Sequence, residues 1–508
     1  MAASCASKVG TPTGAASAAT KASTAHTSPS LNASSGRCPG VVSNAVDLAG
    51  IPALELASLF ASRDCSPVEL IEATFARIDA LNPSVNAFAW LRHDLALDEA
   101  RAAEKRLAAG DARALEGIPF TAKDLAAVAD GPTNHGSRAF EGHRTGVDAG
   151  VVRRLREAGG ILVGTTTASE FGNRPTTESA LFGVTRNPWN LERTSGGSSG
   201  GAGVAGALGI APLNQASDGG GSIRIPAACC GVFGLKPSRA RITLGPLLGE
   251  DWGGLDVTGP ITRTVSDAAL FLDAAAGPAI GDPYWAPPPP RSFLSAVDER
   301  HGFNVAVAYE RDGEKVDNET IKKVEETVAL LRSLGHSVTE TAPSLLPLEQ
   351  PYLVVSTIGI GVLDLTAKQL DLLEPRTRVI FDAAREMTAV EYVRALNDMH
   401  MQARAVAAFF EEYDALLTPT LSRPAPPIGE IGADIHGAWN DYRNWLCWTW
   451  PFNATGQPAA SVPAGFSSDG LPIGVQVVGR AADERAVLSI CSALERARPW
   501  IDHRPSIW

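Results

Sequence analysis

Helical and strand signals alternate along this chain from about residue 47 to its end, and that alternation predicts an α/β layered fold. Composition agrees: 44% hydrophobic and 20% charged residues over a 508-residue chain are ordinary globular usage and provide for a large core. The alternation also continues in the same way on both sides of the run Pro287-Pro288-Pro289-Pro290. Residues 45–508 are therefore read as a single domain, and no internal repeat is visible.

The elements follow in order. Ser66-Pro67-Val68-Glu69 reads as a capping box with proline at the first helical position. Ile71, Phe75 and Ile78 then recur at helical spacing, and Asn82-Pro83 is expected to stop that helix. A strand is expected over 86–91 and an Ala-rich helix over 95–109, ended by Gly110. Gly117 to Asp124 is a short apolar segment carrying one lysine, Lys123. A helix over 151–158 leads into a buried strand at 161–163. After a middle stretch rich in glycine and serine, Thr264-Val265-Ser266-Asp267 caps another helix. Beyond the proline run, strands are expected at 303–308, 336–338, 415–417 and 473–478, with helices at 319–334, 388–411 and 482–497.

The first 44 residues are Ala/Ser/Thr-rich, hold no acid and lack an apolar run, so they read as a disordered leader and not as a secretory signal. The compartment expected is the cytoplasm, or an organelle if the leader is a transit peptide. The net charge of −12 argues against nucleic acid or an anionic membrane as partner. Seven scattered cysteines without a C-x-x-C pair read as free thiols. No cofactor or metal is expected.

Three patterns compete over the glycine-serine segment. Gly201-Ala202-Gly203-Val204-Ala205-Gly206 matches the dinucleotide-loop spacing, but Asn190 to Thr194 upstream is no buried strand. Gly196-Gly197-Ser198-Ser199-Gly200 matches a nucleophile elbow, yet it too lacks the strand, and no histidine stands in a patterned context. The third reading takes Gly219-Gly220-Gly221-Ser222 as a set of converging backbone N–H groups beside a hydroxyl. Such donors suit the negative oxygen of a tetrahedral intermediate, and Ser222 would attack the same carbonyl carbon. The same four residues also read as a flexible glycine turn. A base is then required, and Lys123 lies among Ile118, Pro119, Phe120 and Ala122, where desolvation favours the neutral amine.

Taken together, these segments resemble the amidase signature family of serine amidohydrolases over about residues 45 to 500. The marks are Gly117–Asp124, Arg193–Gly203, Ser217–Pro226, Cys230–Ser238, Gly259–Thr264, Pro451–Ala459 and Gly470–Gln476, all in order. The resemblance implies a mixed central sheet covered by helices on both faces. It also implies a Ser-Ser-Lys unit with Ser222 as nucleophile, Ser198 in a cis peptide as the bridging serine, and Lys123 as base. Gly219, Gly220, Gly221 and Ser222 would form the oxyanion hole. Asp218 and Arg224 are expected to pair and brace the turn, and Ser199 is open between a site role and a structural one. One departure is visible: Thr165-Thr166-Thr167 stands before Glu170-Phe171 where the family often has Lys-Thr-Asn.

The resemblance implies hydrolysis of a small-molecule amide and allows for a homodimer. Gly281 to Pro287 and Trp448-Thr449-Trp450 resemble the subgroup acting on the 6-aminohexanoate cyclic dimer. Trp448 and Trp450 are accordingly candidate pocket residues, with core packing as the alternative. An uncharged linear or cyclic aminohexanoate-type amide, or an aryl or aliphatic one, suits a chain with no evident basic anchor for a carboxylate. The alternatives are an A-type subunit of a tRNA-dependent amidotransferase and a non-catalytic relative acting as a binding subunit.

Overall fold

Eleven strands form one sheet in the order 88–91, 161–166, 119–123, 213–218, 257–262, 233–236, 459–466, 472–479, 415–419, 304–307 and 337–340. The computed structural model describes residues 48–311, 313–434 and 438–508. The expected leader lies outside them.

The sheet is mixed. Pro119–Lys123 runs parallel to both of its neighbours, and Asn304–Val307 does the same at the far side; the remaining pairs are antiparallel. Successive strand residues point to opposite faces, and here they feed two separate cores. Leu416, Val478 and Ala459 join one cluster, while Leu417, Val477 and Ala460 join the other. The first cluster holds the small-residue helix Gly200–Ala207 and the helix Arg224–Cys230; the second holds Val265–Ala275 and Glu484–Ala497. The α/β expectation and the implied helix layers on both faces thus stand. The proline run at 287–290 lies between strands of this one sheet.

Most local expectations correspond to observed elements. Ser66 accepts from the Glu69 N–H while Glu69 reaches back to the Ser66 N–H, closing the capping box. Thr264 caps Val265–Ala275 through the Asp267 N–H at 3.1 Å. The stop at Asn82-Pro83 is corrected: the helix Pro67–Val85 carries Pro83 in its last turn and ends at Asn86 with φ 55°. There the Asn82 side chain takes the N–H groups of Ala87 and Phe88, so the chain leaves one turn later. Asn190–Thr194 does form a strand, but outside the main sheet, in a small hairpin with alternating exposure.

Four central strands went unanticipated: Leu213–Asp218, Phe233–Lys236, Val257–Thr262 and Ala459–Phe466. Their Asn, Gln, Ser, Thr, Gly and Pro content hides the apolar period. Asn214 and Gln215 are fully or almost fully buried because their side chains bond one another's neighbours: Asn214 to Thr121 and Ile261, Gln215 to Lys123 and Thr258. Among the described residues no helix is long and apolar enough to cross a membrane.

Candidate active site

Lys123 ends the strand Pro119–Lys123, beside and parallel to Leu213–Asp218, so both strands deliver their C-terminal residues to one edge of the sheet. Its side chain is 0% exposed. The ammonium nitrogen donates to Ser198 Oγ at 2.7 Å and to Ser217 Oγ at 3.1 Å. Burial pulls its pKa down to about 8, against the raising effect of Asp256, Asp218 and Asp251. Asp124 points the other way, its carboxylate held by the N–H groups of Asn134 and Gly136. A second buried lysine, Lys236, donates from its ammonium to the Pro237 carbonyl at 3.0 Å. Burial lowers both lysines, but of the two only Lys123 donates to hydroxyls.

Ser198 reaches Lys123 from the turn that opens the helix Gly200–Ala207, and its peptide bond from Gly197 is cis. Ser199 turns away and donates to the Ser217 carbonyl at 3.2 Å. This ties the turn to the strand that carries Ser217.

The glycine turn follows that same strand. Asp218 is fully buried and pairs with Arg224, whose Nη2 lies 2.8 Å from Oδ1 and whose Nε lies 3.0 Å from Oδ2. Burial alone would raise the Asp218 pKa, but Arg224, Lys236 and Asn453 together bring it down to about 2. Arg224 is in turn saturated by the carbonyl of Thr449 and the side chains of Gln476 and Asn453, each at 2.7 Å. The turn's carbonyls are also taken: Tyr352 donates to Gly219 O at 3.3 Å and Thr449 to Gly220 O at 2.8 Å. Both carbonyls are thus held by hydrogen bonds from other segments of the chain. The expectation for Gly221 needs correction. Its N–H donates to Asp218 Oδ1 at 2.7 Å, in a residue whose φ is 135°. Gly221 thus braces the turn, and the candidate oxyanion donors narrow to Gly219, Gly220 and Ser222. Ser222 closes the turn at 8% exposure, just ahead of the helix Arg224–Cys230.

A cavity of about 1000 Å³ opens beside this cluster, with Lys123 and Ser217 on its wall. Its apolar side includes Leu125, Phe171, Trp252, Val355, Ile358 and Ile360; Glu250, Asp251 and Asp256 make an acidic side. His135 lies on the wall as well, and burial lowers its pKa to about 4, leaving it a neutral ring stacked on Phe171.

The comparisons with known proteins bear on this arrangement. The family model Amidase matches residues 69–488. The chain belongs to the amidase family. The 6-aminohexanoate-cyclic-dimer hydrolase of Paenarthrobacter ureafaciens is 36% identical over 478 residues, covering 89% of this chain and 95% of that protein. A structure of 6-aminohexanoate cyclic dimer hydrolase complexed with substrate superposes with a TM-score of 0.84 at 33% identity, over 91% of this chain and 99% of that one. A bacterial aryl acylamidase of the amidase signature enzymes superposes at 0.81 with 28% identity, over 89% and 97% of the two chains. This chain is accordingly an amidase, a hydrolase of carbon–nitrogen bonds.

Several site expectations for the amidase change on inspection. Trp448 and Trp450 are 0% and 1% exposed and belong to the core, not the cavity wall. Trp450 packs on Tyr352 with ring centroids 4.9 Å apart, behind the glycine turn. Thr165, Thr166 and Thr167 are buried at a strand end and do not line the cavity. The expected lack of a basic anchor is also qualified: Arg144 stands on the wall, although its guanidinium donates to the Asp130 carbonyl at 3.0 Å. Sequence reasoning missed Ser217, Asp251, Asp256 and Tyr352. Ser217 could have been found, since it directly precedes Asp218 on the same motif; the others come from segments without a local signature.

Proposed function

We propose that this amidase cleaves its amide through an acyl-enzyme on Ser222, with Lys123 as general base and Ser198 as the proton bridge. The supporting observation is the 2.7 Å bond between Lys123 Nζ and Ser198 Oγ, in a site where burial favours the neutral amine. Neutral Lys123 takes the Ser198 proton while Ser198 takes that of Ser222. The Ser222 Oγ–carbonyl bond forms, and the N–H groups of Gly219, Gly220 and Ser222 receive the oxyanion. Lys123 then returns its proton through Ser198 to the leaving nitrogen, which departs as a neutral amine as the C–N bond breaks. Water repeats the sequence in reverse and releases the acid.

For the substrate, the cavity supports an uncharged amide with a sizeable apolar portion: a cyclic or linear aminohexanoate-type amide, or an aryl or aliphatic one. Its volume of about 1000 Å³ far exceeds the need of a small aliphatic amide, and its wall combines apolar side chains with carboxylates that disfavour an anion. The test pairs a fluorophosphonate probe with a hydrolysis panel. The label is expected on Ser222 and absent in Ser222→Ala, with turnover of apolar uncharged amides. A folded chain that takes no label and turns over nothing in the panel would instead be a binding subunit.

A further inference from the structure

His135 lines the same cavity as Lys123, and its backbone is anchored beside the Lys123–Ser198 pair. Asp124, the residue after Lys123, takes three successive N–H groups. Its carboxylate accepts from Asn134 at 3.1 Å and from Gly136 at 2.8 Å, and its carbonyl accepts from His135 at 3.1 Å. The His135 carbonyl accepts in turn from the Phe171 N–H at 2.8 Å. Gly172 follows, so close to the bridging serine that a Cβ there would lie 3.3 Å from Ser198 Oγ. Short backbone links thus set His135 relative to both residues of the proton path.

Both linked residues hold an uncommon backbone conformation. His135 has φ 54° and Phe171 φ 47°, in the left-handed region that is strained for a residue with a Cβ. Such strain persists where the surroundings over-determine it, as the hydrogen bonds to Asp124 do here. The His135 ring lies on Phe171 with centroids 6.2 Å apart and meets Phe140 edge-on at 5.3 Å. A phenylalanine would fill that place among the rings as well, so packing does not account for the two nitrogens. Among the described residues neither nitrogen has a hydrogen-bond partner. On the same stretch the buried Thr133 hydroxyl, also on the cavity wall, has none. With burial holding its pKa near 4, the ring is neutral and carries one N–H donor and one acceptor nitrogen. Groups placed in this way take their partner from water or from a ligand.

We propose that His135 is a specificity-determining residue that hydrogen-bonds a second amide of the substrate, so that the preferred substrates carry another amide group along the chain or ring. The proposal rests on the reading of the active site given above. In that reading the scissile amide is already engaged: its carbonyl oxygen goes to the glycine turn and its leaving nitrogen to Ser198. The group that meets His135 is therefore a different one. An amide matches the imidazole, because it too offers one donor and one acceptor. A plain alkyl chain that displaced water from the ring would leave both nitrogens without a partner, which costs affinity.

The experiment uses fluorophosphonates in which an amide is stepped along the alkyl chain, each compared with the plain alkyl probe of equal length. The quantity read is the ratio of the two rates of Ser222 labelling, which cancels any general loss of reactivity in a variant. At the amide position that wild type favours, this ratio is expected to fall about tenfold in His135→Phe, which keeps a ring and removes the nitrogens. His135→Leu carries the test if the phenylalanine variant does not fold. Part of the ratio is expected to return in His135→Asn or in His135→Gln, whose side-chain amides restore a donor and an acceptor. A wild-type ratio retained at every amide position in His135→Phe and His135→Leu would overturn the proposal. So would a ratio in both amide variants as low as in His135→Phe, since the loss would then belong to shape and not to hydrogen bonding. Wild-type protein left unlabelled at Ser222 by all the probes would instead overturn the underlying reading of the site.

Discussion

Single residues here act through what surrounds them. A lysine is usually a solvated cation; Lys123 is closed off from water at the end of a strand, with hydroxyls as its partners. Its lowered pKa means that the base form grows as pH rises through about 8, so amide turnover limited by chemistry should climb from pH 6 to 9. A flat profile across that range would contradict a lysine base. Replacing either Lys123 or Ser222 by alanine should reduce kcat by roughly 10⁴-fold or more, and the double variant by little beyond that, because the two act as a unit. Measured kcat for the three variants decides it. Asp218→Asn leaves Arg224 as an uncompensated buried cation and should cost about 3–5 kcal/mol in urea unfolding. The folded Asp218 pKa, brought down from the usual 3.8 to about 2, has a clear sign. Its contribution to stability is present above the unfolded value and is lost as pH falls through the window between the two.

At the scale of the element, the glycine turn is the critical piece. Gly221 sits at φ 135°, and a Cβ there would lie 2.5 Å from Thr449 Oγ1. Gly220 is equally confined, since a Cβ would lie 2.4 Å from the Tyr352 hydroxyl. Gly221→Ala should therefore abolish labelling of Ser222 while changing secondary structure little, as circular dichroism beside the probe would show. Normal labelling in that variant would mean that the turn does not present the nucleophile. This turn also shows why parts of the site were legible. Local signals sufficed where a contact is set by near neighbours in the chain: the Asp218–Arg224 pair six residues apart, the capping box at Ser66 and the Thr264 cap. They failed for Tyr352 and Thr449, which are held against the turn from more than 130 residues away. They failed also for Leu213–Asp218 and Val257–Thr262, whose buried polar side chains Asn214, Gln215 and Thr258 take partners across the sheet.

The whole molecule decides what reaches the site. The cavity wall is assembled from segments far apart in the chain: Leu125 follows the lysine strand, Trp252 belongs to the loop before Val257–Thr262, and Val355 and Ile358 lie on the helix Glu349–Gly361. Filling that space should discriminate by size. Val355→Phe should raise KM for bulky apolar amides several-fold while leaving fluorophosphonate labelling unchanged. An equal loss for small and bulky amides would point to a different entry route. From the sequence by itself came the α/β class and the family, carried by short contiguous motifs, and through the resemblance the candidates Lys123, Ser198 and Ser222. Only the tertiary structure decided that Trp448 and Trp450 are core and that the Gly221 N–H goes to Asp218. Those relations depend on which strands become neighbours and on which face each side chain is buried, and both are set by packing across the whole sheet.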